Sequence, residues 1–165
     1  MSLAEEFAAE LTREALTTRR VLQRVPESQL GWRPHEKSMT LGQLAYHIAN
    51  LPRAISDLLT ELEVEPPRVP LPEKTPVAEM LTLLAEGVPY ATAKLLEWGD
   101  EGLAANWRMT REGRTIFDMP RAAMVRSVML NHWYHHRGQL TVYLRLLDVA
   151  LPSVYGPSAD EKPFG

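Results

Sequence analysis

Apolar residues recur at steps of three and four along four stretches of the chain, with polar and charged residues between them. This spacing places the apolar side chains on one face of an α-helix. It predicts helices over residues 2–24, 41–63, 77–98 and 120–148. The predicted core-facing residues are Phe7, Leu11, Ala15, Thr18 and Leu22; Leu41, Leu44, Ile48, Leu51, Ile55, Leu58 and Leu62; Met80, Leu84, Val88, Ala91 and Leu95; and Val125, Met129, His132, His136, Leu140, Tyr143 and Leu147.

The second and third predicted helices carry start and interruption signals. Thr40 is a favourable N-cap, and Gln43 three residues later completes a capping-box pattern. Pro52 lies inside the second helix and has no N–H to donate to the carbonyl four residues earlier, which predicts a kink. Gly87 and Pro89 predict a bend in the third helix.

The segments between the helices differ in character. Residues 65–76 contain five prolines and predict an extended connector, which suits a long crossover between helices. Residues 105–117 lose the helical period around Glu112-Gly113 and predict a small β-hairpin. Residues 149–165 have no helical period. The fold class is therefore all-α: one domain over residues 1–165, a four-helix bundle with a long crossover, a small β-hairpin before the last helix and an irregular C-terminal tail.

Composition narrows the classes of function. The 165 residues include no cysteine, which excludes disulfides, cysteine-ligated metal sites and a cysteine nucleophile. The formal net charge of −3 argues against nucleic acid as a partner. No apolar run approaches the about 20 residues of a membrane span, and the acidic N-terminal segment is unlike a signal peptide, so we expect a cytoplasmic protein.

Histidine is the residue type with a chemically suggestive pattern. His132 and His136 are four residues apart, so one helix face presents both imidazoles, and His47 lies on the inner face of the second helix. The three together predict a divalent-metal site, because neighbouring half-buried imidazoles cost desolvation energy unless they bind something. The alternative is that they are core histidines with hydrogen-bond partners. His135 and His35 are expected at the surface.

Aromatic residues near these histidines are candidates for a pocket wall. Trp32, Tyr46, Trp133 and Tyr143 are the candidate substrate-binding residues, and Tyr155 in the tail is a further member of the wall. Each of these side chains has packing as its alternative role. The sequence identifies no general acid or base, so the catalytic residues stay unknown.

Three segments carry a resemblance to a known family. Residues 131–140 (NHWYHHRGQL) look like the H-x-x-x-H-R-G-Q signature of the DinB-like metal-binding helical bundles. Residues 32–34 (WRP) followed by residues 39–47 (MTLGQLAYH) resemble the loop and second-helix start of that family. Residues 151–160 (LPSVYGPSAD) resemble its C-terminal end.

This resemblance implies a four-helix bundle whose metal ligands match His47, His132 and His136. It implies zinc or nickel as the most common metal and a homodimer as a common assembly. Related proteins are transferases or isomerases that depend on low-molecular-weight thiols, and some are hydrolases. Within the signature we expect structural roles: Arg137 pairing with a carboxylate or capping carbonyls, Gly138 allowing close approach of a helix or the tail, and Gln139 bonding a loop or the tail.

Three neutral imidazoles leave at least one position open on a divalent ion, as in catalytic sites. The sequence therefore favours a metal-dependent enzyme that acts on a small-molecule substrate, as a low-molecular-weight-thiol transferase or a hydrolase. Any thiol must arrive as a substrate, since the chain has no cysteine. The alternative is a non-catalytic metal- or ligand-binding stress-response protein with the same fold.

Overall fold

The computed structural model of the chain describes residues 1–162; Pro163, part of the predicted tail, lies outside the described residues. The first three helices are α1 (Leu3–Leu22), α2 (Leu41–Leu58) and α3 (Val77–Ala104). The fourth, α4, runs continuously over residues 121–146 and consists of α-helical Arg121–Met124, π-helical Val125–Asn131 and α-helical His132–Leu146. The predicted helical fold is confirmed. None of the helices in the described part is long and apolar enough to cross a membrane.

Side-chain caps set the first residues of α1 and α2. Ser2 and Glu5 form a reciprocal capping box at α1, and Thr40 and Gln43 form the predicted one at α2. Each box satisfies backbone N–H groups that the first turn of a helix leaves without partners. The cap at Thr40 therefore fixes the start of α2 at Leu41, six residues before His47.

The core lies between the apolar faces of the four helices. α3 packs against both α1 and α2, and α4 packs against α2 and α1. The predicted stripe of α3 is confirmed, because all five of its residues are buried. The predicted stripe of α1 is buried at all positions except Ala15, which is partly buried.

The second helix is shorter than its apolar pattern predicts. It ends at Leu58 rather than near Glu63, and Leu62 is 47% exposed. The buried guanidinium of Arg121 donates from Nε to the Leu59 carbonyl at 2.9 Å. It thereby satisfies a carbonyl that the end of the helix leaves without an N–H partner. This end is set by a residue far along the chain, which no local pattern reveals.

A short strand follows α2 and extends the predicted hairpin into a three-stranded sheet. β1 (Glu63–Val64) pairs in parallel with β2 (Asn106–Arg111), which pairs antiparallel with β3 (Arg114–Pro120). The β2–β3 pair confirms the hairpin, and its turn residues Glu112 and Gly113 both have positive φ, as tight two-residue hairpin turns require. β1 was not predicted because two residues carry no alternation pattern.

The proline inside α2 frees a carbonyl that α4 uses. α2 continues through Pro52 to Leu58, and the Ile48 carbonyl accepts a hydrogen bond of 2.9 Å from the indole Nε1 of Trp133. Trp133 is fully buried, and a buried carbonyl left without a partner costs about 1–3 kcal/mol. Pro52 and Trp133 are therefore complementary: one removes a donor within α2, and the other supplies a donor from α4.

The backbone of α3 leaves helical geometry at Gly99, where φ is 55°. This break follows directly on Trp98, the predicted end of the third helix, and a second helical stretch then continues to Ala104. Gly87 and Pro89 keep helical φ and ψ, so the bend expected there stays a prediction. Gly87 has a different role, because a Cβ there would lie 3.2 Å from the Cβ of Arg53. The missing side chain lets α2 and α3 approach closely.

The buried face of α4 differs by one residue from the predicted stripe in the second half of the helix. The fully buried residues there are Trp133, Arg137, Leu140 and Leu144. The predicted core positions His132, His136, Tyr143 and Leu147 are partly buried. The π-helical turns before His132 hold more residues per turn than an α-helix, so they change which side chains face inward. The two histidines consequently lie at the edge of the core, beside α2.

Candidate metal centre

Two helices bring three histidines together. His132 and His136 project from successive turns of α4, and His47 faces them from the first half of α2. One ligand nitrogen of each ring lies within 4.8 Å of one ligand nitrogen of each of the others. The Nε2 atoms of His132 and His136 are 2.7 Å apart. The structure thus assembles the cluster that the spacing predicted, and these three partly buried residues could hold a metal ion.

Hydrogen bonds on the far side of two rings assign their tautomers. Nδ1 of His132 donates to the Val128 carbonyl at 3.3 Å, and Nδ1 of His136 donates to Oε1 of Gln139 at 2.7 Å. Both partners are acceptors, so the proton of each neutral ring sits on Nδ1 and each Nε2 carries a lone pair. Two lone pairs that face each other at 2.7 Å repel unless a cation lies between them. The donor set therefore fits a divalent ion, for which neutral imidazole is a common ligand.

The surroundings keep all three imidazoles in the neutral form that binds metal. Burial lowers the pKa of His47 from 6.5 to about 4, and the two neighbouring histidines add to this effect. Burial also lowers the pKa of His132 and of His136, partly offset by the hydrogen bonds to Val128 and Gln139. Metal binding at neutral pH consequently displaces no proton from these ligands.

The other two histidines take no part in the cluster. His135 is exposed, with its ring centroid 5.1 Å from that of His136, and His35 is exposed in the loop before α2. The Nδ1 atom of His35 accepts a hydrogen bond from the Lys37 backbone at 3.1 Å. Both surface predictions are confirmed, and His135 becomes a natural control for the ligand histidines.

A cavity of about 240 Å³ lies beside the centre, and His47 and His132 form part of its wall. Its lining residues are Tyr46, His47, Asn50, Leu51, Ala54, Ile55, Leu58, Pro67, Val69, Pro70, Val128 and His132. Of the candidate aromatic residues, Tyr46 is in this wall. Asn50 was not predicted, although its position three residues after His47 places it on the same helix face.

The remaining aromatic candidates lie elsewhere. Trp133 is fully buried and bonds the Ile48 carbonyl, so the prediction of a substrate contact there is wrong: the side chain has no surface to offer. Trp32 and Tyr143 form an edge-to-face pair with centroids 5.6 Å apart, outside the cavity lining. Tyr155 is on the α1 side of α4, where its hydroxyl donates to Glu14 at 2.9 Å.

Arg137 has the expected structural role. It is 1% exposed, and its guanidinium donates to the Glu14 carboxylate at 2.6 Å, to Thr18 Oγ1 at 3.1 Å and to the Tyr155 hydroxyl. These bonds join α4 to α1 and to the tail.

The other two signature residues differ from expectation. Gln139 bonds His136, not a loop or the tail, because the side chain three residues along a helix is within reach of the ring. Gly138 does not serve close approach, since, apart from its chain neighbours and the nearby backbone of its own helix, no atom of the described residues lies within 4 Å of a Cβ built there.

Comparisons with known proteins give the relatives of the chain and the fold that it shares with solved structures. The chain is 27% identical over 152 residues to the protein YrdA of Bacillus subtilis, covering 90% of this chain and 85% of that one. A DinB-like protein from Bacillus cereus superposes with a TM-score of 0.67 at 25% identity, over 92% of this chain and 97% of the other. The DinB-like protein YjoA of Bacillus subtilis has the same fold, with a TM-score of 0.67 at 18% identity, over 96% and 99% of the two chains. The model of the DinB family matches residues 1–163, and the chain belongs to that family.

Proposed function

We propose that this protein is a metal-dependent enzyme that acts on a small molecule at the three-histidine centre, as a low-molecular-weight-thiol transferase or a hydrolase. The observation that carries the proposal is the convergence of the His132 and His136 Nε2 lone pairs, with His47 opposite them. A site built only for stability would have each imidazole nitrogen paired with a protein donor or acceptor.

The roles of the side chains follow from their positions. His47, His132 and His136 would hold the ion, and Gln139 and the Val128 carbonyl keep two of the rings in the ligating tautomer. When bound, a divalent ion supplies Lewis acidity, either by lowering the pKa of a water or by stabilising a thiolate. Tyr46 and Asn50 line the adjacent cavity and can orient the rest of a substrate through a hydroxyl and an amide. Imidazole suits both zinc and nickel, which are the ions we propose.

A thiol used in the reaction must come from outside the chain, because the protein contains no cysteine. This favours a transferase in which the thiol is a substrate, or a hydrolase in which water takes its place. The two activities need the same open coordination position beside the cavity.

The non-catalytic alternative has one observation in its favour. Within residues 1–162, the cavity wall contains no carboxylate and no lysine to act as a general acid or base. A ligand-binding stress-response protein would need the histidines and the cavity but no such group. Turnover measurements separate the two functions.

The test starts with elemental analysis of the untagged protein beside two variants, His136→Ala and His135→Ala. We expect near-stoichiometric zinc or nickel in the parent and in His135→Ala, whose exposed ring is outside the cluster. We expect His136→Ala to lose the metal, with an affinity lower by at least about 100-fold, since second-sphere changes alone typically cost about 10–100-fold. Circular dichroism should show the same fold in all three.

Loaded protein is then assayed with panels of thiol acceptors and esters. Turnover that disappears in His136→Ala supports the enzyme. Tight metal binding without turnover would favour the non-catalytic alternative, and a parent that binds no divalent ion at all would contradict the metal site.

A further inference from the structure

The cavity beside the histidines has walls from three parts of the chain. α2 contributes one helix face, the proline-rich connector contributes Pro67, Val69 and Pro70, and α4 contributes Val128 and His132. Apart from the two histidines, Tyr46 and Asn50, the lining side chains are aliphatic or proline. A group that reaches the histidines through this cavity therefore meets an apolar surface on most sides.

We propose that the substrate of this centre places an uncharged, apolar body in this cavity while a polar atom of the same molecule faces the histidines. This inference rests on the proposed function, since it describes the substrate of the same site. Its evidence is separate, because it concerns the walls of the cavity and not the donor atoms of the metal site.

Charge is the first argument. Asp, Glu, Lys and Arg are absent from the cavity lining in the described part of the chain. Arg68 lies between two lining residues in sequence, but it is exposed and not part of the wall. A carboxylate or ammonium group held among the apolar walls, away from the histidines, would lose hydration and gain no counter-ion from the protein, which is strongly unfavourable. The part of the substrate in this cavity is therefore uncharged, and a thiol with a carboxylate in its body would have to keep that carboxylate outside.

Size is the second argument. The cavity of about 240 Å³ is smaller than the about 300–1,000 Å³ typical of drug-sized ligands. A cavity of about 150 Å³ accepts benzene, so this one has room for about ten non-hydrogen atoms. A short alkyl chain or a single substituted ring matches this volume.

The third argument is the apolar surface that the cavity leaves in contact with water. Val69 of the connector is 57% exposed, and Ala54 of α2 is also exposed. Both belong to the lining, so a bound apolar body would cover them. The free energy gained by removing this surface from water favours an apolar ligand over a polar one.

The experiment measures binding, and not only activity. Protein loaded with Co²⁺, whose visible spectrum reports its ligands, is titrated with the uncharged alkanethiols from ethanethiol to hexanethiol. A second series uses ω-mercaptocarboxylates of matched length. We expect affinity for the alkanethiols to rise about threefold to fourfold per methylene. With the thiol at the Co²⁺ ion, we expect each longer carboxylate to bind at least about tenfold more weakly than its uncharged partner, because the charge at the far end of the chain meets no counter-ion among the apolar walls.

Two variants locate the effect. Ala54→Phe adds a ring at an exposed position of the cavity wall and should abolish the chain-length dependence, while Co²⁺ binding is retained. Ala93→Phe makes the same change at an exposed position of α3 outside the lining and should behave as the parent. Equal affinity for all thiols in the parent, or chain-length dependence that persists in Ala54→Phe, would overturn the inference.

A metal-free arm keeps this inference distinct from the metal site. His136→Ala protein is titrated with hexan-1-ol and with hexanoate while the methyl NMR signals of Leu51, Ile55 and Leu58 are followed. Shifts with the alcohol and not with hexanoate support the cavity even if no metal binds. If the parent binds Co²⁺ but His136→Ala responds to neither hexyl ligand, the cavity proposal is overturned and the metal-site proposal is unaffected.

Discussion

Two adjacent flanks of α4 differ in how the polar groups of their side chains are paired. On one flank, the buried Arg137 guanidinium donates hydrogen bonds from its Nη atoms to Glu14, Thr18 and Tyr155. On the other flank, His132 and His136 direct their Nε2 atoms at the same point, 2.7 Å apart, while acceptors face both Nδ1 atoms. The first arrangement has complementary charges and joins secondary-structure elements. The second could hold a cation, which makes it a candidate binding site.

The paired flank continues along the same helix. Arg126 forms a two-bond ion pair with Glu10 of α1, with both distances 2.7 Å, and the Tyr134 hydroxyl donates to the same carboxylate at 2.8 Å. The Arg126 bond holds the pKa of Glu10 below its usual value. Two ion pairs, Arg126–Glu10 and Arg137–Glu14, thus join α4 to α1. The interface of α4 with α2 contains the neutral histidines instead. Stability and metal binding should therefore respond separately to mutation.

The largest expected effect is a loss of unfolding free energy on mutation of the flank that carries Arg137. Arg137→Ala leaves the Glu14 carboxylate without its cation in a partly buried place, and breaking such a pair typically costs about 3–5 kcal/mol of unfolding free energy. Urea unfolding of the metal-free protein measures the loss. Arg145→Ala removes an exposed pair with Asp160 and should cost less than about 1 kcal/mol. If Arg137→Ala were still folded at low denaturant but no longer bound metal, stability and metal binding would not respond independently to mutation of the two flanks.

The next effect is on the histidine flank. Gln139→Leu removes the acceptor that holds the proton of His136 on Nδ1, so we expect metal affinity to fall by about 10–100-fold. Unfolding free energy of the metal-free protein should change by less than about 1 kcal/mol, since Gln139 is only partly buried. Competition with a chelator gives the affinity. Gln139→Glu keeps an acceptor oxygen and should retain binding; a loss as large as in the leucine variant would contradict the positioning role.

The third effect is the pH dependence of the metal-free protein, which is spread over more than two pH units. The pKa of His47 is about 4 in the folded state and 6.5 in the unfolded chain, so between these values the unfolded chain binds a proton that the folded one does not. Stability therefore falls as the pH decreases from 6.5 to 4, by at most about 1.4 kcal/mol per unit for one proton.

His47→Gln should flatten the unfolding free energy across this window. Glu10→Gln should instead act below pH 4.5, because the lowered pKa of Glu10 gives stability that is lost as the pH falls through its folded value. An unchanged slope in His47→Gln would show that the buried ring does not titrate as described.

The residues of the candidate metal centre could be found from sequence because their signal is local. Spacing alone puts His132 and His136 on one face, and the apolar pattern of the second helix orients His47 inward. The capping box at Thr40 likewise depends on neighbours three residues apart. What the sequence could not give is contact between distant segments: the Arg121 bond that ends α2, the strand at Glu63, and the connector that closes the cavity.

Two side chains show the limits of residue type as a guide. Trp133 was a candidate for substrate contact, yet its indole satisfies the carbonyl that Pro52 frees. Arg137 lies in the core although arginine is seldom buried, because Glu14 and Thr18 surround it with acceptors. In both cases the environment is decided by a partner on another helix, more than eighty residues away in sequence.

The π-helical segment of α4 determines in which direction the side chains after it point, relative to the side chains before it. Residues before it anchor the end of α2 through Arg121, and residues after it present the two ligating rings. An α-helix turns the chain by about 100° per residue, and the wider π-helical turns advance it by less. The seven residues 125–131 therefore cover about the same rotation as six α-helical residues, so the segment accommodates one extra residue while Arg121 and the two histidines keep their orientation. Rewinding all seven residues as a regular α-helix would turn His132 and His136 by roughly 100° relative to Arg121, and the helix would then lose either its anchor or its histidine cluster.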